Sequence, residues 1–163
     1  MQTKQSDKTA DFRALYDRQV VRVYRLALVL LGNPADAEDV SQQVFTKAWE
    51  KQPRFRDDEH ETAWFITVTR NQCRDVVRGS YRRTRADLAD APEPWTTFSS
   101  MEDDDLWLAV RELPAKYRVP LYLHYCEGYT LRELSRILHR NESTLQTQLA
   151  DARKILRNIL DPK

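Results

Sequence analysis

Five arginines stand close together in one stretch of the sequence, where only one acid, Asp75, accompanies them. The first four follow one another at intervals of four residues, and the set is Arg70, Arg74, Arg78, Arg82 and Arg83. On a helix, a spacing of four keeps side chains along one broad side. Such a side suits DNA phosphates, which cations meet at repeated intervals. A charged helix face that contacts only water is the alternative interpretation.

Residues that could catalyse a reaction are dispersed along the chain. His60, His124 and His139 lie far apart, no glycine-rich phosphate loop is present, and the carboxylates cluster only where helices and loops are expected to begin. Cys73 and Cys126 form no Cys-x-x-Cys pair and have no histidine at zinc-ligand spacing. The sequence therefore predicts no enzyme activity, no cofactor, no metal site and no small-molecule substrate.

Composition favours an all-α protein. The 163 residues are 41% hydrophobic and 31% charged and include only three glycines, so a core can form without turn-rich β structure. No apolar run approaches the roughly 20 residues that cross a bilayer, and the polar start lacks the apolar region of a signal peptide. We expect a cytoplasmic protein.

The first half of the chain predicts three helices. Apolar residues recur at helical spacing over 11–31, and Gly32 follows at the place of a left-handed cap. Asn33 and Pro34 open a second helix that runs to about Lys51. The mixed-charge segment 52–61 predicts a loop before a third helix, capped by Thr62 and extending to about Arg83.

The second half predicts a helix-turn-helix. We expect helices over 102–113 and 114–127, then a short helix to Leu138 that begins with a capping box at Thr130 and Glu133. A turn at 139–141, capped by Asn141, leads into a long final helix. The segment 84–101 contains two prolines and small polar residues and predicts a linker. The predicted organisation is therefore two small helical domains, 9–83 and 102–160, joined by 84–101.

Charge is distributed unevenly over these segments. Residues 1–83 contain 15 basic and 12 acidic residues, 84–101 contain one and three, and 102–163 contain ten of each. The net charge of +1 thus hides a positive excess in the first domain.

Three stretches, in this order and with this linker, resemble the extracytoplasmic-function sigma factors of bacterial RNA polymerase. Residues 33–49 look like the segment that docks on the clamp helices of the polymerase largest subunit. Residues 63–78 are similar to the helix that contacts the minus-ten promoter element. Residues 113–134 and the helix-turn-helix resemble the domain that binds the minus-thirty-five element. The likeness covers nearly the whole chain.

This resemblance implies three sets of site residues. Polymerase binding is expected from Asp36, Asp39, Val40, Gln42, Gln43, Phe45 and Trp49. Minus-ten binding is expected from Arg54, Phe55, Arg56, Trp64, Arg70, Asn71, Arg74 and Arg78, with the loop capturing an unstacked base of the non-template strand. Minus-thirty-five binding is expected from Arg132, Ser143, Thr144, Gln146, Thr147, Arg153 and Lys154.

The final helix departs from the family pattern. Gln146, Gln148, Ala150 and Asp151 occupy positions that are commonly basic or bulky in the family. Glutamine can read adenine in the major groove, but it neutralises no phosphate. We therefore expect weaker anchoring at the upstream element.

The predicted function is that of a sigma factor that binds core polymerase, recognises promoter DNA and helps to melt it. The resemblance implies an anti-sigma protein, often membrane-anchored in the family, as a further partner. It also implies that the acidic linker threads the polymerase channel. The alternative is a sigma-like interaction protein that occupies polymerase or an anti-sigma partner without directing initiation.

Overall fold

The computed structural model describes residues 2–86 and 109–162, and every regular element within them is an α-helix. The first domain consists of α1 (Gln2–Leu31), α2 (Pro34–Lys51) and α3 (Asp58–Ala86). The second domain consists of helical residues 109–112 followed by α4 (Ala115–Tyr125), α5 (Leu131–Leu138) and α6 (Glu142–Leu160). The prediction of two helical domains with a helix-turn-helix in the second is confirmed. Most of the predicted linker 84–101 and of the predicted helix 102–113 lies outside the described residues.

The junction between α1 and α2 forms as the sequence predicts. Gly32 has a φ of 75°, and its N–H donates to the Leu28 carbonyl at 2.8 Å. The Asn33 side chain then accepts from the N–H groups of Ala35 at 2.8 Å and Asp36 at 3.3 Å, which satisfies two free donors of α2. The start of α1 differs from prediction, because the helix begins at Gln2 rather than at residue 11. The added residues are polar, so no apolar stripe announces them.

The start of α3 also corrects a prediction. Thr62 is buried inside the helix, and Asp57 acts as the cap because its Oδ1 accepts from the His60 N–H at 2.7 Å. The helix therefore begins at Asp58, and the loop before it is confined to 52–57.

The helix-turn-helix is built by local polar contacts. Thr130 and Glu133 form the predicted capping box at the start of α5. His139 ends α5 with a φ of 54°. Asn141 precedes α6 as predicted, but its side chain makes no capping hydrogen bond.

One apolar cluster joins the two domains directly. Within it, Leu26 and Val29 of α1 and Ile66 of α3 meet apolar residues of α4, α5 and α6, and all three are at most 5% exposed. The members from the second domain are Val119, Tyr122, Leu123, Leu134, Ile137, Leu138 and Leu145. We call this contact the seam. The hydrophobic effect holds the seam closed, because separation would return these side chains to water.

Ion pairs flank the seam. Arg22 of α1 lies 3.6 Å from a Glu127 carboxylate oxygen just after α4, and Arg136 of α5 lies 3.3 Å from Glu59 of α3. The second pair is substantially exposed, so it contributes at most about 1 kcal/mol. The domains are thus held chiefly by apolar packing, and the charge pairs contribute little beside it.

Candidate nucleic-acid interface

The outward side of α2 carries polar side chains above a buried apolar stripe. Asp39, Gln42 and Gln43 are exposed and Asp36 is half-buried. Trp49 is 39% exposed, and its ring packs edge-on against Phe12 with centroids 5.1 Å apart. This face presents hydrogen-bonding groups and one aromatic edge to a partner.

Two predicted members of the polymerase set occupy a different place. Val40 is fully buried and Phe45 is 5% exposed, because both belong to the apolar stripe of α2 that fills the first domain. They support the outward face from beneath and do not form it.

Gln72 of α3, which sequence reasoning missed, ties the outward face of α2 to the arginine-bearing helix. Its amide nitrogen donates to Gln43, and its amide oxygen accepts from the Lys47 ammonium at 2.9 Å. The α2 face and α3 are therefore linked by two hydrogen bonds of the Gln72 amide.

The loop 52–57 borders a cavity of about 350 Å³ in the first domain. Arg54, Phe55, Trp49 and Phe12 are among its lining residues. Phe55 is half-buried and contacts the rings of His60, Trp64 and Phe65 with centroids between 5.4 and 6.3 Å apart. The predicted loop residues Arg54 and Arg56 are exposed. A volume of this size lined by aromatic and guanidinium planes can receive one nucleobase.

A buried carboxylate closes one side of that cavity. Glu61 accepts from Arg18 through both oxygens, at 3.1 and 3.0 Å, and from the Gln19 amide at 2.9 Å. Burial tends to raise the pKa of Glu61, but these hydrogen bonds and the charge of Arg18 outweigh it, so the pKa lies below its usual value. The carboxylate is therefore ionised and fixed at neutral pH.

The arginine stripe of α3 is only partly exposed to solvent. Arg74, Arg78 and Asn71 are exposed, whereas Arg70 is half-buried beside the seam. Trp64, predicted for the same site, is half-buried and packs edge-on against Phe65 at 4.9 Å. The side chains of Arg82 and Arg83 lie outside the described ones. The free cationic surface of α3 thus centres on Arg74 and Arg78.

The second helix of the helix-turn-helix, α6, presents hydroxyl and amide groups. Ser143, Thr144, Gln146 and Thr147 are all exposed in its first turns, and Thr147 donates its hydroxyl to the Ser143 carbonyl at 3.0 Å. The predicted cations Arg132, Arg153 and Lys154 are also exposed. Arg153 donates to the Tyr125 hydroxyl at 2.5 Å, which draws it toward α4. The exposed surface thus combines neutral polar groups in the first turns of α6 with three cations outside those turns.

The described residues offer no metal centre and no membrane span. No group of three His, Cys, Asp or Glu side chains in 2–86 and 109–162 could hold a metal ion. Among the described helices, none combines the length and the apolar character that crossing a bilayer requires.

Family models and relatives agree on what this chain resembles. The Sigma-70 region 2 model matches residues 15–84, and the Sigma-70 region 4 model matches residues 103–156. The ECF RNA polymerase sigma factor SigL of Mycobacterium tuberculosis is 31% identical over 157 residues, which cover 92% of this chain and 89% of SigL. The ECF RNA polymerase sigma factor SigK of Mycobacterium bovis is 27% identical over 162 residues, covering 93% and 87%.

Two solved structures share the fold. The sigma factor RpoE of Bartonella quintana, in complex with the anti-sigma factor NepR, has a TM-score of 0.77 at 23% identity, covering 92% of this chain and 96% of RpoE. CnrH, in complex with the cytosolic domain of CnrY, has a TM-score of 0.66 at 20% identity, covering 95% and 90%.

Proposed function

The chain belongs to the extracytoplasmic-function RNA polymerase sigma factors and directs transcription initiation, and from this premise we propose how its surfaces divide that task. The proposal rests on one observation in the first domain. The outward face of α2 and the exposed arginines of α3 are separate surfaces, and Gln72 links them by hydrogen bonds. One surface can bind protein while the other binds DNA.

The outward face of α2 is the proposed polymerase contact. Asp36, Asp39, Gln42, Gln43 and Trp49 form it, and Val40 and Phe45 hold it from within. A polar face with one partly exposed aromatic edge is typical of a protein interface that must also remain stable in water.

Loop 52–57 and α3 form the proposed minus-ten surface. Arg74, Arg78 and Asn71 lie along exposed α3, where they can follow the DNA backbone. The cavity beside Arg54 and Phe55 would hold the unstacked base, and stacking there contributes about 1–3 kcal/mol. Binding energy of this kind favours the opened strands, so we propose that the chain acts by binding alone and performs no catalysis.

The second domain is proposed to contact the upstream element through α6. Ser143, Thr144, Gln146 and Thr147 would meet base edges, while Arg132, Arg153 and Lys154 would meet phosphates. The contact relies on hydrogen bonds more than on charge.

An anti-sigma protein is the second proposed protein partner. RpoE and CnrH, which share this fold, were both solved as complexes, with NepR and with the cytosolic domain of CnrY. We propose that this chain is held by a comparable partner, and that it works in the cytoplasm, where polymerase and DNA are found.

Transcription in vitro from a library of promoter sequences tests the proposal. Purified core polymerase from the same organism is used with and without the chain. New start sites that share two upstream motifs are expected. Binding to core polymerase without any new start site would instead identify an interaction protein that does not direct initiation.

A further inference from the structure

A cavity of about 360 Å³ lies at the seam, and basic side chains from both domains surround it. Arg70 and Arg74 come from α3, while Lys116, Arg118 and Arg140 come from the second domain. No lining residue is acidic, and apolar side chains such as Leu30, Val77 and Val119 form the rest of the wall. Five cations therefore converge on one space with no anion among its lining residues.

Backbone carbonyls hold Arg118 in this position. Its Nη1 donates to the carbonyls of Val29 and Leu30 at 3.2 Å each. These carbonyls belong to the last turn of α1, where helix geometry provides no further donor. Arg118 thus caps α1 from the other domain, and its Nε is buried without a hydrogen-bond partner. The carbonyls fix the guanidinium but do not neutralise it.

A proline accounts for one contact that holds Arg140 at the cavity. Pro120 lies within α4 and has no N–H, so the Lys116 carbonyl four residues earlier lacks its helical donor. Arg140 donates to that carbonyl at 3.2 Å and to the Gln148 amide oxygen at 3.0 Å. Both acceptors are uncharged, so Arg140 also keeps its full positive charge at the cavity.

The remaining cations, Lys116 among them, likewise have no compensating ion pair within the described part of the chain. Arg70 and Arg74 take part in none of the ion pairs between described residues. Burial lowers the pKa of Arg70, and the charges of Arg140 and Arg74 lower it further. Gathering like charges at a partly buried site costs free energy, and a bound anion would offset that cost.

We propose that this cavity binds a phosphate-bearing anion with several charges, such as a di- or triphosphate group. Guanidinium groups match phosphate oxygens in paired hydrogen bonds. A terminal phosphate brings roughly 1.5 to 2 charges at neutral pH, and each further linked phosphate adds one more, so a di- or triphosphate offsets the five cations more closely than a carboxylate does. The volume is within the range of small-ligand sites, and the apolar wall leaves room for a nonpolar part of the ligand.

The site overlaps the proposed DNA surface, because the two share Arg70 and Arg74. The anion would bridge the domains and hold the seam closed. The same arginines would then be withheld from promoter DNA, so the ligand would compete with initiation.

Isothermal titration calorimetry of the full chain with tripolyphosphate and with pyrophosphate tests whether the cavity binds such anions. We expect saturable binding of one equivalent, and at least a tenfold weaker affinity in the variant Lys116→Gln/Arg140→Gln. Neither residue belongs to the proposed polymerase or DNA surfaces. The matched control Arg13→Gln/Arg157→Gln removes the same charge at exposed positions away from the cavity and should bind like the parent chain. Equal weakening in both variants, or no saturable binding of either probe, would overturn the proposal.

A second arm identifies the source of the phosphate. A labelled DNA duplex of scrambled sequence is titrated against the same variants. Loss of duplex binding in Lys116→Gln/Arg140→Gln, without tripolyphosphate binding by the parent, would overturn the proposal, because it would assign these cations to the DNA backbone. Tripolyphosphate binding that the variant loses, with duplex binding unchanged, assigns it to a free polyphosphate. A single Lys116→Gln variant leaves the Arg140 contacts in place and repeats the test if the double variant does not fold. Because the polyphosphate titration contains neither polymerase nor DNA, its result is independent of the proposed division of surfaces.

Discussion

The two helices proposed to meet promoter DNA, α3 and α6, differ in how they can hold it. α3 exposes Arg74 and Arg78 on one broad side, and Arg70 continues that row into the seam. α6 exposes hydroxyl and amide groups in its first turns, and its exposed cations Arg153 and Lys154 follow the acidic Asp151. Phosphate contacts give affinity, while contacts to base edges give selectivity. The first domain is therefore expected to supply most of the affinity for promoter DNA, and the second domain to add selectivity for its sequence.

Removing the arginines of α3 should have the largest effect. Arg70→Ala/Arg74→Ala/Arg78→Ala is expected to weaken promoter binding roughly a hundredfold and to flatten its salt dependence by about 0.9 in slope for each phosphate that is no longer neutralised. Fluorescence anisotropy over a range of salt concentrations measures both. Arg13→Ala/Lys51→Ala/Arg157→Ala is the control with equal charge removal at exposed positions. An unchanged slope in the α3 variant would assign the stripe to a solvated face.

The cavity beside the loop separates strand opening from duplex binding. Arg54→Ala is expected to reduce initiation from a closed duplex by about tenfold, which is the lower part of the range for removal of one stacking partner. Initiation from a template that is already open at the minus-ten element should fall much less. Lys51→Ala, a nearby exposed cation outside the cavity lining, serves as the control. Equal reductions on both templates would contradict a role in base capture.

Adding positive charge to α6 should bring its contribution to DNA affinity closer to that of α3. Gln146→Lys/Asp151→Arg is expected to raise affinity for upstream-element DNA by roughly three- to tenfold and to steepen the salt dependence. Gln5→Lys/Asp7→Arg makes the same charge change on exposed α1 and should leave both nearly unchanged. If the two variants behave alike, α6 does not face DNA in the proposed way.

The smallest effect concerns the acid resistance of the first domain. The native pKa of Glu61 is lowered, so the unfolded chain binds more protons as the pH falls through that region. The stabilisation is complete above the unfolded pKa of about 4.3 and is lost as the pH falls through the native pKa. Urea unfolding at several pH values should show a flatter pH dependence below about pH 5 for Glu61→Gln. Glu38→Gln, which makes the same charge change at an exposed position, is the matched control.

Local signals made much of the fold predictable. The Asn33 cap, Gly32, and the capping box of Thr130 and Glu133 act within a few residues, so the sequence alone specifies them. The start of α3 was misplaced because Asp57 and Thr62 are both good caps, and their hydrogen bonds decide between them. The outward face of α2 was predicted with Val40 and Phe45 included, since family likeness does not separate a surface from its support.

The seam cavity could not be predicted from the sequence. Arg70 and Arg140 are distant along the chain, and their proximity depends on how two domains pack. Pro120 was the one available signal, because a proline inside a helix leaves a carbonyl that another donor must satisfy. Which donor satisfies that carbonyl, here Arg140, depends on the tertiary structure.

The apolar cluster at the seam also bears on solubility. If the two domains moved apart in water, Leu26, Val29 and Ile66 would form an exposed apolar patch on the first domain. The apolar residues of α4 and α5 would form a matching exposed patch on the second domain. Patches of this kind promote aggregation unless another surface covers them. Any partner that separates the two domains must therefore also cover the exposed apolar residues of the seam, so that domain separation and protection from aggregation occur in one step.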